Sequence, residues 1–182
     1  MDKIKIAILV GTVRAKRESI KVAHYVAEFA NKYPEVDVNL VDPQSLMLVD
    51  EGQDVKDPTY SKITQEADAF IIVTPEYNHS FPGSLKRMLD SEYDNYARKP
   101  VSLIGVSSGP WGGARACEAL LPVCHKLGLV NIRSELYFPM VQEIFGESGE
   151  LAADYKERYE ANIDKLFVEL IWFARSLKSF EG

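Results

Sequence analysis

The chain has 182 residues, 46% of them hydrophobic and 26% charged, with a formal net charge of -6 at pH 7. That length suits one domain, residues 1–182, able to remove roughly 70% of its unfolded surface from water, and the composition excludes a disordered or fibrous chain. The acidic balance argues against nucleic-acid or anionic-membrane partners, which favour a basic surface.

Lys3 to Val10 reads as a first strand; its apolar part is brief and lacks a following small-residue cleavage site, so no signal peptide is expected. Gly11 to Ser19 forms the next loop, and a helix with Ile20, Ala23, Ala27 and Ala30 on one face stops before Pro34. Val36 to Val41 alternates as a second strand. Residues 43 to 60, rich in Asp, Pro and Gly, read as an irregular surface connection leading to a short helix around Tyr60 to Glu66.

Ala69 to Val73 is a third, buried strand, which Pro75 stops because it lacks an amide hydrogen. Ser80 is a plausible cap for the helix after Pro82 and Gly83, which buries Leu85, Met88 and Leu89 and closes at Arg98-Lys99-Pro100. Val101 to Val106 is the fourth strand. The helix from Ala114 to Leu127 ends at Gly128, Leu129 to Ile132 is the fifth strand, and Glu135 to Met140 could extend it. An amphipathic helix, about Leu151 to Leu177, completes the chain. The alternation of apolar strands with helices predicts an α/β fold: a doubly wound five-stranded parallel sheet, order 2-1-3-4-5, covered on both faces. No stretch reaches the length of a membrane span. Cys117 and Cys124, seven apart on one helix, cannot bridge each other and read as core thiols of a reducing cytoplasm; no metal-binding spacing exists.

In that order the first, third and fourth strands are neighbours, so one ligand could touch the loops after all three. The first loop suits a phosphate: Thr12 and Ser19 offer hydroxyls, Arg14 a charged fork, and the following helix its positive end. It is neither a Walker loop nor a dinucleotide fingerprint, since only Gly11 is present. The second loop, Pro75-Glu76-Tyr77-Asn78-His79, offers backbone amides, the Asn78 amide and a stacking face to a heteroaromatic ring. His79 reads as a loop-shaping residue, because no carboxylate or nucleophile stands at a telling spacing. In the third loop, Gly109, Gly112 and Gly113 allow close backbone approach, while Trp111 borders the ring or makes a subunit contact.

Taken together, GTVRAKRES, PEYNHSFPGSLKRMLD and SSGPWGGARA resemble the NADPH-dependent FMN reductase family of flavodoxin-like proteins. The resemblance covers essentially the whole chain. It implies non-covalent FMN, NAD(P)H as donor, and small acceptors such as quinones, azo compounds, metal oxyanions such as chromate, or free flavin. By the family pattern Thr12, Arg14, Ser19 and Ile20 hold the phosphate, with Gly11 beside them. Pro75, Glu76, Tyr77 and Asn78 edge the ring, and Ser107, Ser108, Gly109 and Gly112 line its other side. Hydride then passes directly between two rings, so no catalytic side chain is required. Thr12 departs from the family's usual Ser, and Lys16-Arg17-Glu18 replaces a smaller stretch. The resemblance also implies a homodimer or homotetramer. A flavin-bound electron carrier or redox-dependent interaction module is the alternative from another class, and a nucleotide-binding protein without flavin a further one.

Overall fold

The computed structural model describes residues 2–47 and 56–179. Five parallel strands run side by side: β1 (Ile4–Val10), β2 (Val36–Val41), β3 (Ala69–Pro75), β4 (Pro100–Val106) and β5 (Val130–Asn131), in the order β2-β1-β3-β4-β5. A further short strand, β6 (Leu136–Phe138), pairs with the C-terminal half of β4 beyond β5. The helices are α1 (Ser19–Phe29), α2 (Pro58–Glu66), α3 (Gly83–Asp90), α4 (Ala114–Lys126), α5 (Val141–Ile144) and α6 (Ala153–Lys178).

Side chains alternate across a strand, so each strand feeds two cores. Ile6 and Ile8 of β1 join Val22 and Val26 of α1 and Leu166 and Leu170 of α6 on one face. On the other, Ala7 and Leu9 join Leu85 and Met88 of α3 and Leu120 of α4. The doubly wound sheet read from the strand pattern is therefore the observed one, and with both faces covered its central strands β1, β3 and β4 are apolar almost throughout, while the edge strand β2 alternates.

Local departures have physical causes. The buried stripe of α1 is Val22, Ala23, Val26 and Phe29; Ile20 and Ala27 are only partly buried. Ser80 does not cap α3. Its backbone pairs with Tyr77 instead, and Pro82 stands at the cap position without a side-chain bond. Nor does α3 run on to Arg98. It stops at Asp90 because the next residues turn inward: buried Glu92 accepts from Ser61 and Asn95, and buried Tyr96 packs on Phe70 with its hydroxyl 2.5 Å from that of Tyr60. The connection after β2 is less irregular than its composition suggests, since Pro43–Ser45 form a helical turn and Asp57 caps α2 through the amides of Thr59 and Tyr60. Residues 48–55 of that connection lie outside the described residues. Leu151 stays out of α6 and bridges to Phe145.

The possible extension of the fifth strand over Glu135 to Met140 is a separate strand, Leu136–Phe138. Between β5 and β6 the chain bulges out over residues 132–135, and its polar groups are satisfied individually. Buried Ser102 donates to the Ser134 carbonyl at 2.7 Å, while Glu169 of α6 accepts from the amides of Arg133 and Ser134 at 3.3 and 2.9 Å. β6 thereby re-enters register beside Ile104–Val106, directly below the loop that follows β4.

Candidate active site

The C-terminal ends of β1, β3 and β4 bring three loops together, and hydrogen bonds lock them to one another. Gly11 N–H donates to the Val73 carbonyl at 2.8 Å, and the Thr12 and Tyr77 hydroxyls meet at 3.0 Å. Glu76 N–H donates to the Val106 carbonyl at 3.1 Å. The third loop is anchored to β6 and α5: Ser107 N–H donates to the Phe138 carbonyl, Val141 N–H to that of Ser107, and Met140 N–H to that of Gly109.

A cavity of about 180 Å3 lies among them, lined by Thr12, Arg14, Ser19, Pro75, Glu76, Tyr77, Ser107 and Ser108 of the residues singled out from the sequence. Lys16, Arg17, Glu18, Val106 and Val141 complete the lining. Gly11, Ile20, Asn78, Gly109 and Gly112 are not in that wall. Gly11 lies at the strand end, Ile20 faces a separate groove beside α1, and Gly112 is packed against Tyr137 and Phe138 of β6. A Cβ at Gly109 would meet nothing within 4 Å, so this part of the rim is open.

Asn78 and His79 have positive φ values of 50° and 64°, and Tyr77 and Ser80 exchange both backbone hydrogen bonds across them. Two left-handed residues inside such a pair make a type I′ turn, for which Asn is well suited. His79 therefore shapes the loop, and both side chains are exposed. Arg14 extends over the Tyr77 ring, its guanidinium carbon 5.7 Å from the ring centre.

Two features were missed from the sequence. Arg115, in the first turn of α4, donates to Glu76 at 2.9 Å and lies 5.2 Å from the Trp111 ring centre, tying the second loop to the third. Glu76 is held with its other carboxylate oxygen buried and unpartnered at the cavity. Arg17 turns away to Asp42, at the end of β2. The signal was topological: β2 neighbours β1, which puts Asp42 beside the first loop. Cys117 and Cys124 are buried on α4, and burial pushes both thiols up, that of Cys124 to about 12, so neither is poised as a thiolate.

One buried hydroxyl bears on whether these residues fit a phosphate-bearing ligand. Ser19 Oγ is 1% exposed at the level of the residue and has no hydrogen-bond partner, although buried hydroxyls normally find one. It sits at the start of α1, where no side chain caps the free amides. An anion there would satisfy the hydroxyl and the helix end together, so the donor set fits.

Fold and site define a flavodoxin-like α/β protein with a polar cavity at the carboxyl ends of its central strands, where open sheets bind ligands. The sequence pattern of the NADPH-dependent FMN reductases matches residues 4–143, and the chain belongs to that oxidoreductase family. It is 31% identical over 145 residues to the NAD(P)H-dependent FMN reductase LOT6 of Saccharomyces cerevisiae, covering 68% of this chain and 75% of the relative. It is 30% identical over 166 residues to a 2-hydroxy-1,4-benzoquinone reductase of a Burkholderia species, covering 86% and 90%. Among solved structures it resembles FerB, an NAD(P)H:(acceptor) oxidoreductase from Paracoccus denitrificans, with a TM-score of 0.74 at 21% identity over 97% of this chain and 98% of that one. Among the described residues no helix is long and apolar enough to cross a membrane.

Proposed function

We propose that the chain is a single-domain cytoplasmic enzyme that passes a hydride from NAD(P)H through non-covalent FMN to small acceptors, quinones foremost, with azo compounds, metal oxyanions and free flavin as further candidates. The observation that carries this reading is the buried, unpartnered Ser19 hydroxyl at the uncapped start of α1. Bound there, FMN supplies a ring that takes a hydride from the nicotinamide and yields it to the acceptor, with a proton drawn from solvent. The protein's part is position. Thr12, Arg14 and Ser19 take the phosphate. At about 180 Å3 the cavity is below the roughly 300–1,000 Å3 of whole small-molecule sites, so it would hold only part of FMN, and the Tyr77 turn and the 107–112 loop are the walls that would take the ring. Arg115 and Glu76 keep those two walls in fixed relation.

Anaerobic stopped-flow mixing of FMN-loaded protein with NADPH and with NADH tests the assignment. Bleaching at 1 s⁻¹ or faster, in the usual range of about 1–10³ s⁻¹ for turnover, followed by recolouring on addition of benzoquinone, is expected. Bleaching far slower than about 1 s⁻¹ with both donors would assign the chain to electron carriage instead.

The same reading includes a homodimer or homotetramer. Val168 and Trp172, one turn apart on α6, are exposed beside Tyr137 in a groove of about 910 Å3. Arg133, Arg158 and Lys165 line it along with Glu135, Asp164 and Glu169, a balance of signs that suits a second copy of the same face. Sedimentation should show Trp172→Glu shifted toward monomer with its helix content intact; an unchanged mass would place the contact elsewhere.

A further inference from the structure

Arg17 belongs to the phosphate-side loop, yet its charge is spent on the protein. Its side chain is 7% exposed; Nη1 donates to the Thr12 carbonyl at 2.6 Å, and Nη2 donates to Asp42 and, at 3.1 Å, to Gln44 Oε1. Gln44 reaches the same loop, its Nε2 donating to the carbonyls of Val13 at 3.0 Å and Arg14 at 3.3 Å. Asp42 holds Gln44 in turn by accepting from its amide at 2.9 Å. Three consecutive carbonyls, those of Thr12, Val13 and Arg14, are thus held by two side chains. Across a trans peptide the carbonyl and the following N–H point in opposite directions. The amides of Val13, Arg14 and Ala15 are therefore turned away from the strap; that of Arg14 donates to the buried Thr12 hydroxyl at 3.2 Å, which leaves those of Val13 and Ala15 for an anion. Successive amides turned to one side form an anion-binding concavity.

We propose that Arg17, Asp42 and Gln44 are positioning residues that preorganise this loop, so that the preference for a phosphorylated over an unphosphorylated flavin depends on them. The inference rests on the reading of this cavity as the FMN phosphate site. Without the strap the loop would be ordered only on binding, at a cost in affinity. The contrary possibility, that Arg17 leaves Asp42 to contact phosphate itself, makes the opposite prediction at Asp42. Removing that carboxylate would then free a guanidinium and delete an anion, tightening FMN. As part of a strap, its removal weakens FMN.

The test measures dissociation constants of FMN and riboflavin for the flavin-free full chain by flavin fluorescence, in wild type and in Arg17→Ala, Gln44→Ala and Asp42→Ala. Circular dichroism verifies the fold of each. Every variant is expected to bind FMN about 5- to 50-fold more weakly while riboflavin changes less than about threefold. The Arg17→Ala/Gln44→Ala double variant should lose less than the product of the single losses, because both act on one loop. Arg17→Lys, with the charge but not the fork, should recover only part of the loss. Tighter FMN binding in Asp42→Ala, or unchanged FMN affinity in Gln44→Ala, whose site is exposed, would overturn the strap. Wild type that binds FMN no better than riboflavin would overturn the phosphate reading itself, a failure visible before any substitution is made.

Discussion

Gly113→Ala is expected to cost about 3 kcal/mol or more, lowering the thermal midpoint by about 6–12 °C, and to weaken flavin retention with it. Gly113 precedes α4 with φ 82°, a left-handed conformation that costs a residue with a Cβ roughly 1–2 kcal/mol. A Cβ there would also stand 2.4 Å from Val106 N and 2.8 Å from the Gly105 Cα, both backbone atoms of β4 that cannot swing aside. Relief requires lifting the start of α4 off the strand, and the 107–113 loop and Arg115 move with it. The control is Gly109→Ala, whose Cβ would meet nothing within 4 Å and which should stay within about 0.5 kcal/mol of wild type. Calorimetry of both variants decides the point; a Gly113→Ala midpoint within about 3 °C of wild type would mean that the loop accommodates a methyl group without moving.

What could be read from the sequence follows the range of the interactions involved. The central strands were legible because burial on both faces makes β1, β3 and β4 nearly continuous apolar runs, and Ala69–Val73 announces itself without any knowledge of its neighbours. The three loops were legible for a related reason, since their Gly, Pro, Ser and Thr content is written in adjacent residues, although the left-handed turn at Asn78-His79 was not read. What stayed hidden depends on side chains that meet across the fold. Arg17 is 25 positions from Asp42 and Arg115 is 39 from Glu76, so neither pairing leaves a local trace. Tyr96 pulls the chain inward and shortens α3 only because Phe70 and Tyr60 are waiting on the other side of the core. The gap between β5 and β6 likewise needs Glu169, supplied by a helix that follows much later in the chain.

Ser19→Ala should act with opposite signs on the flavin-free and the FMN-bound protein. Without flavin, Ser19 Oγ is buried and no protein group hydrogen-bonds it, so no bond to the chain offsets its desolvation. Removing the oxygen should stabilise that form by about 1 kcal/mol, roughly 2–4 °C in midpoint, since an unsatisfied buried hydroxyl costs about 1–3 kcal/mol and Ala fits a helix start without strain. With FMN present the same hydroxyl donates to a phosphate oxygen. Hydrogen bonds to charged groups are worth roughly 1.5–3 kcal/mol, so FMN affinity should fall about 10- to 150-fold. Riboflavin, which lacks the phosphate, should bind both proteins alike. Thermal scans of the flavin-free proteins and titrations with the two flavins separate these effects. A lower midpoint for flavin-free Ser19→Ala would show that the hydroxyl already has work in the empty loop. Equal losses of FMN and riboflavin would show that it supports the ring and not the phosphate, whereas a higher midpoint joined to a phosphate-selective loss ties the buried hydroxyl to the phosphate.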